Sequence, residues 1–132
     1  MELETTPSRN AAQTLAALQR RQYRLGVVSN SNGHVRKLLQ RAGLAAFFEA
    51  IVDSAEFGIE KPDPRIFAAA AAHLDVPAAA CAYVGDIYEI DILGARAAGL
   101  YPILIGDCPA AEQVVRIGEL EELLGLFAGV EV

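Results

Sequence analysis

"YVGDIYEIDILGARAAG", Tyr83 to Gly99, is the stretch on which the reading of the fold turns. An apolar run stops at Gly85-Asp86, a second aspartate, Asp91, follows five residues later, and the pattern then turns helical up to Gly99. Such a pattern predicts a strand that ends in a tight glycine turn and feeds a helix closed by a second glycine. The turn pushes the Asp86 side chain out over the strand end. Asp91, in the first helical turn, is favoured there by the helix dipole and can lean back toward the same point. Two neighbouring carboxylates repel unless a cation sits between them or one takes a proton. Oxygen ligands without His or Cys partners suit Mg2+, which keeps several waters and takes one or two protein carboxylates. Taken alone, the spacing fits equally well a helix cap at Asp86 and a solvated charge at Asp91.

Outward from this stretch, strands and helices alternate. "RLGVVSN" (24–30), "AIVDS" (50–54), "ACAYVG" (80–85) and "YPILIG" (101–106) read as short apolar strands. Between them lie helical patterns. Residues 11–22 carry Ala12, Leu15, Ala16 and Leu18 at helical spacing, with Ser8 or Asn10 as cap. A second helix runs from Gly33 or His34 to Ala42, with Gly43 as terminator. "PRIFAAAAAHL" (64–74) follows the cap-and-proline start Asp63-Pro64, and "ELEELLGLF" (119–127) closes the chain. Residues 1–10 read as a tail, and residues 11–132 as one domain. This order predicts an α/β fold, a mostly parallel sheet with helices on both faces. Ligands gather at the carboxyl ends of such strands. Ser29-Asn30 and Gly85-Asp86 end two strands on one rim.

Composition agrees with a single globular body of 132 residues, 53% of them apolar. A net charge of −6 argues against nucleic acid or an anionic membrane as partner. The basic pairs Arg20-Arg21 and Arg36-Lys37 read as solvated helix faces. No apolar run approaches the roughly 18 residues that cross a bilayer, and no secretory leader opens the chain. Cys81 and Cys108 lack metal-type spacing; Cys81 reads as a buried thiol. A soluble protein of the reducing cytoplasm is expected.

Two further features bear on the rim. Lys61, in "GIEKPDPRIF" (58–67), lies in an exposed-looking connection pinned by Pro62 and Pro64, from which it can aim a point charge at an anion. Ser29, Asn30 and Gly33 form a polar loop running into a helix start, with hydroxyl, amide and backbone donors for a phosphate. Each has a plainer reading, a surface lysine and a helix cap at Ser31 or Asn32. Together with the acid pair they describe a site for Mg2+ and a phosphoryl group.

"RLGVVSNSNG", "GIEKPDPRIF" and "YVGDIYEIDILGARAAG", in this order, resemble the second, third and fourth motifs of the haloacid dehalogenase-like (HAD) hydrolase superfamily, over about residues 12 to 106. The resemblance implies a HAD-like Rossmannoid fold and Mg2+-dependent hydrolysis of a small phosphorylated metabolite through an aspartyl-phosphate. It implies that Ser29 holds the transferring phosphoryl oxygens, with Asn30 beside it at the substrate. It implies that Lys61 steadies the nucleophile and the phosphoryl charge, that Asp86 ligates the metal, and that Asp91 holds the metal's waters.

One departure is large. The superfamily's first motif, Asp-x-Asp on the opening strand, supplies the nucleophile, and no Asp-x-Asp occurs in this chain. No aspartate at all precedes Leu25; the acids there are Glu2 and Glu4. The sequence resembles a member lacking its first strand and cap, so the chain alone is expected to be inactive. Asp53, at another strand end, is the nearest substitute by topology, but that strand does not carry the superfamily's chemistry. His34 and His73 read as exposed helix residues. The missing strand is central in the superfamily's sheet. The strands ending at Ser29 and Gly85 therefore either pair directly, or take up the N-terminal tail, another chain (as in a homo-oligomer), or a missing N-terminal segment. The alternative function is a non-catalytic Mg2+- or phosphate-binding module or scaffold. A receiver-type signalling domain is disfavoured by the order of its acids.

Overall fold

The computed structural model describes residues 11–110 and 113–127. The tail 1–10 and its caps Ser8 and Asn10 lie outside the described residues, as does the end of the 11–132 domain. Helix α1 (Ala11–Arg20) leads into β1 (Gly26–Ser29), α2 (Val35–Arg41), β2 (Ala50–Asp53), the short α3 (Ser54–Phe57) and α4 (Pro64–His73). Then come β3 (Ala82–Gly85), a wide π-helical turn (Tyr88–Ile92) running into α5 (Leu93–Ala97), β4 (Tyr101–Ile105), β5 (Val115–Ile117) and α6 (Glu122–Leu126). The alternating α/β order matches the sequence reading. Asp63 caps α4 by accepting from the Arg65 N–H, and Gly43 and Gly99 follow α2 and α5 at φ 74° and 87°. β5 is an addition. Its three residues, Val115-Arg116-Ile117, are too short for a periodicity to show, and its middle side chain is charged.

All strand pairs are parallel, but they form two sheets among the described residues, β1–β2 and β3–β4–β5. Direct pairing of β1 with β3 is therefore not the solution the described residues adopt. Helices cover both faces, and strand alternation decides which side chain meets which helix. Val27 and Val84 pack with Leu15, Leu39 and Leu123, from α1, α2 and α6. Their neighbours Val28 and Tyr83 point the other way, onto Ile66 and Phe67 of α4 and Ala95 of α5. Between the sheets lies an apolar cavity of about 710 Å3, lined by Val28, Tyr83 and Val84 together with Leu15 and Phe67. Its walls do not include Ser29, Lys61, Asp86 or Asp91. No helix among the described residues is long and apolar enough to cross a membrane.

Two expectations about burial change. Lys61 was read as lying in an exposed connection, yet it is 3% exposed. Its charge is drawn inward by a buried carboxylate thirty residues away, a partner that local composition does not reveal. Cys81 is half-buried just before β3, with its thiol against the Val76 and Pro77 carbonyls. Arg20, Arg21, Arg36, Lys37, His34 and His73 are exposed.

Candidate functional site

The carboxyl ends of β1 and β3 carry Ser29 and Gly85, and the loops beyond them meet the segment around Lys61. The contact between the loop after β1 and the Lys61 segment is made by Asn30. Its side-chain Oδ1 accepts from the Lys61 N–H at 3.0 Å, and its Nδ2 donates to the Lys61 carbonyl at 3.3 Å. This two-way amide bond fixes where Lys61 leaves the chain, and Ser29, one residue back, is buried beside it.

From there the Lys61 side chain runs inward. Nζ donates to Asp91 Oδ1 at 2.8 Å and to the Tyr83 hydroxyl at 3.2 Å. The Tyr83 oxygen also lies 3.3 Å from Asp91 Oδ1 and 3.3 Å from the Val28 carbonyl, so its one proton serves the carboxylate or the β1 backbone in turn. Asp91 Oδ2 accepts from the Asp86 and Ile87 N–H groups at 3.1 and 3.0 Å. Burial pushes the Asp91 carboxyl up, but the Lys61 ammonium and the hydrogen bonds from Lys61 and Ile87 more than offset it, and the group titrates below the ordinary carboxylate range. Asp91 is thus an ionised, fully bonded anchor that pulls the Gly85–Ile87 turn down onto Lys61.

Local backbone makes this possible. A Cβ at Gly85 would overlap the Cβ and Cγ of Asp91, so only glycine lets the strand end lie against that carboxylate. The π-helical turn at Tyr88–Ile92 adds a residue to the first turn and places Asp91 inward, with its N–H on the Ile87 carbonyl at 2.7 Å. Asp86, at the mouth of the turn, is part-buried.

Asp53 ends β2 opposite Ser29 in the strand register and is 1% exposed. Oδ1 accepts from the Gly33 and Ala55 N–H groups at 2.8 and 3.0 Å, and Oδ2 from the Ser31 hydroxyl at 2.7 Å and the Val35 N–H at 3.3 Å. Burial raises its pKa, and the Ser31 hydroxyl with the Ala55, Gly33 and Val35 amides lowers it further than that, for a net shift downward. The Ser31 hydroxyl serves this carboxylate, and the α2 cap residue His34 makes no side-chain cap bond.

The rim therefore brings Asn30, Lys61, Asp91 and the Asp86 backbone into one bonded chain, with Ser29 next to it. Sequence reasoning passed over Tyr83 as part of it. The signal was a phenol in a strand otherwise apolar, since a buried Tyr hydroxyl needs a partner. Among the described residues, no three His, Cys, Asp or Glu side chains cluster as a metal cage.

Comparison with known proteins gives the family. Residues 1–99 match the family described as haloacid dehalogenase-like hydrolase. The mouse haloacid dehalogenase-like hydrolase domain-containing protein 3 is 35% identical over 106 residues, 80% of this chain and 42% of that protein. A glyceraldehyde 3-phosphate phosphatase from Methanothermobacter thermautotrophicus is 40% identical over 101 residues, 75% of this chain and 44% of its own. The chain thus spans less than half the length of these curated relatives. A crystal structure of a HAD phosphatase from Thermococcus onnurineus superposes with a TM-score of 0.90 at 27% identity, covering 96% of this chain and 60% of that one. Because the family match takes in all three of the stretches whose ends meet on the rim, the chain belongs to the haloacid dehalogenase-like hydrolases.

Proposed function

We propose that the rim is the Mg2+- and phosphate-binding part of a site that hydrolyses small phosphomonoesters. The observation that carries this reading is the buried Lys61–Asp91 pair bonded to the backbone of the turn that presents Asp86. Asp91 commits both oxygens to Lys61, Tyr83 and two amides, which leaves Asp86 as the direct Mg2+ ligand and gives Asp91 the task of orienting the turn. When bound, Mg2+ supplies charge stabilisation to phosphoryl oxygens. Ser29, Asn30 and Lys61 supply the anion's protein partners, Lys61 through its charge just beneath the rim. The phosphatase relative supports a small phosphorylated metabolite as substrate. The two free cysteines fit a reducing, cytoplasmic setting.

These 132 residues contain no Asp-x-Asp, and so no counterpart of the motif that carries the nucleophile. Asp53 is no substitute, since both of its oxygens are held by four donors. The chain as given therefore binds without turning over. Assay with p-nitrophenyl phosphate and Mg2+ tests this: no release above the buffer rate is expected. Turnover that depends on Mg2+ and is lost in Asp86→Ala contradicts the inactivity and places a nucleophile within this chain. The non-catalytic scaffold is favoured instead if millimolar Mg2+ and phosphate leave the melting temperature unmoved, because a bound ligand stabilises by RT ln(1 + [L]/Kd).

A further inference from the structure

We infer that Asp53 is a positioning residue which, from the end of β2, holds the β1–α2 loop in the shape that binds an oxyanion; the inference rests on the phosphate-binding reading of the rim given above.

Within the β1–α2 loop, the His34 N–H donates to the Ser31 carbonyl at 3.3 Å. Between Ser29 and Val35 the loop turns through two successive residues with positive φ, Asn32 at 57° and Gly33 at 90°, a conformation that L side chains rarely adopt. The α2 cap residue, His34, offers no side-chain bond, and the Ser31 hydroxyl is turned to Asp53. The Ser31 hydroxyl and the Gly33 and Val35 N–H groups all go to one carboxylate from another strand. The same carboxylate caps α3 through the Ala55 N–H. Asp53 thus ties the loop after β1 to the strand beside it, where Ser29 and Asp53 face each other in the register.

The consequence reaches the site through Asn30. Asn30 opens this loop and holds the Lys61 backbone from both sides, so the loop's position sets where Lys61 departs toward Asp91. Four donors converge on this one carboxylate, more than the one or two that a helix cap uses, and three of them come from the β1–α2 loop. Its geometry makes sense as a way to keep Ser29 and Asn30 still beside Lys61, because oxyanion partners lose effectiveness when their supporting bonds slacken.

The test is isothermal titration of the chain with inorganic phosphate in excess MgCl2, well below the melting temperature, using Asp53→Asn and the milder Ser31→Ala. Asp53→Asn keeps the shape but turns an acceptor into a donor against N–H groups, and the affinity for phosphate is expected to fall about tenfold. Ser31→Ala, which removes only one of the four bonds to Asp53, is expected to weaken it by a smaller factor. Mg2+ affinity measured without phosphate is expected to stay unchanged in both. Amide exchange at Gly33 and Val35 is expected to quicken in Asp53→Asn. If wild type binds phosphate and both variants bind it equally well, with only the melting temperature lowered, the positioning role is refuted. If wild type takes up no phosphate, the reading of the rim itself fails and the inference falls with it.

Discussion

Lys61 Nζ and Asp91 Oδ1 stand 2.8 Å apart, with the two side chains 1% and 0% exposed, thirty residues apart in sequence. Breaking such a pair from one side leaves a charge buried without its partner, which costs about 3–5 kcal/mol. Replacing both by apolar groups of similar volume is often close to neutral. Lys61→Met alone is therefore expected to lower the melting temperature by roughly 10 °C or more. The double variant Lys61→Met/Asp91→Leu is expected to recover more than half of that while losing Mg2+ and phosphate binding. Equal destabilisation by the single and double variants would show that the pair is not what holds the turn.

Acid should loosen the rim in a defined window. Asp91 and Asp53 both titrate below the ordinary aspartate value of 3.8 in the folded chain. The unfolded chain then binds more protons than the folded one as pH falls through that value, so stability is full above it and declines below it. Melting temperature is expected to hold steady down to about pH 5 and fall progressively beneath that. Asp53→Asn is expected to be less stable at neutral pH but to show a shallower acid slope. A slope unchanged by the substitution would assign the acid sensitivity elsewhere.

Gly85→Ala places a methyl group where the Asp91 carboxylate lies against the strand end. Overpacking of this kind costs about 1–3 kcal/mol, and here the backbone or Asp91 has to give. A loss of that size in the unfolding free energy read from urea melts is expected, together with loss of Mg2+-dependent stabilisation. A variant that binds Mg2+ as wild type does would show that the close approach is incidental.

How much of this was legible beforehand follows from how local each cause is. The αL closures at Gly43 and Gly99 and the Asp63-Pro64 start are written in a few adjacent residues, and all three stand in the structure. The strand ends that make the rim were equally readable, because each apolar run stops at a polar residue or glycine. Lys61 was misjudged because Glu60, Pro62 and Asp63 around it look like surface, whereas its burial comes from Asp91 and Tyr83 on another strand and turn. The clamp at Asp53 leaves no local trace in the sequence, since its donors at Ser31, Gly33 and Val35 lie eighteen to twenty-two residues away. β5 escaped because three residues around an arginine carry no period, and Arg116 is occupied instead with the Gly106 and Cys108 carbonyls.

The central claim is that a divalent cation at Asp86 and a phosphoryl anion share this rim. Replacing Mg2+ by paramagnetic Mn2+ and following the 31P relaxation of inorganic phosphate measures that proximity without any turnover. Strong, saturable relaxation enhancement in the wild-type chain, lost in Asp86→Ala, is the predicted result. Phosphate whose relaxation is no faster with protein and Mn2+ than with Mn2+ alone, or is enhanced equally in Asp86→Ala, would contradict the account.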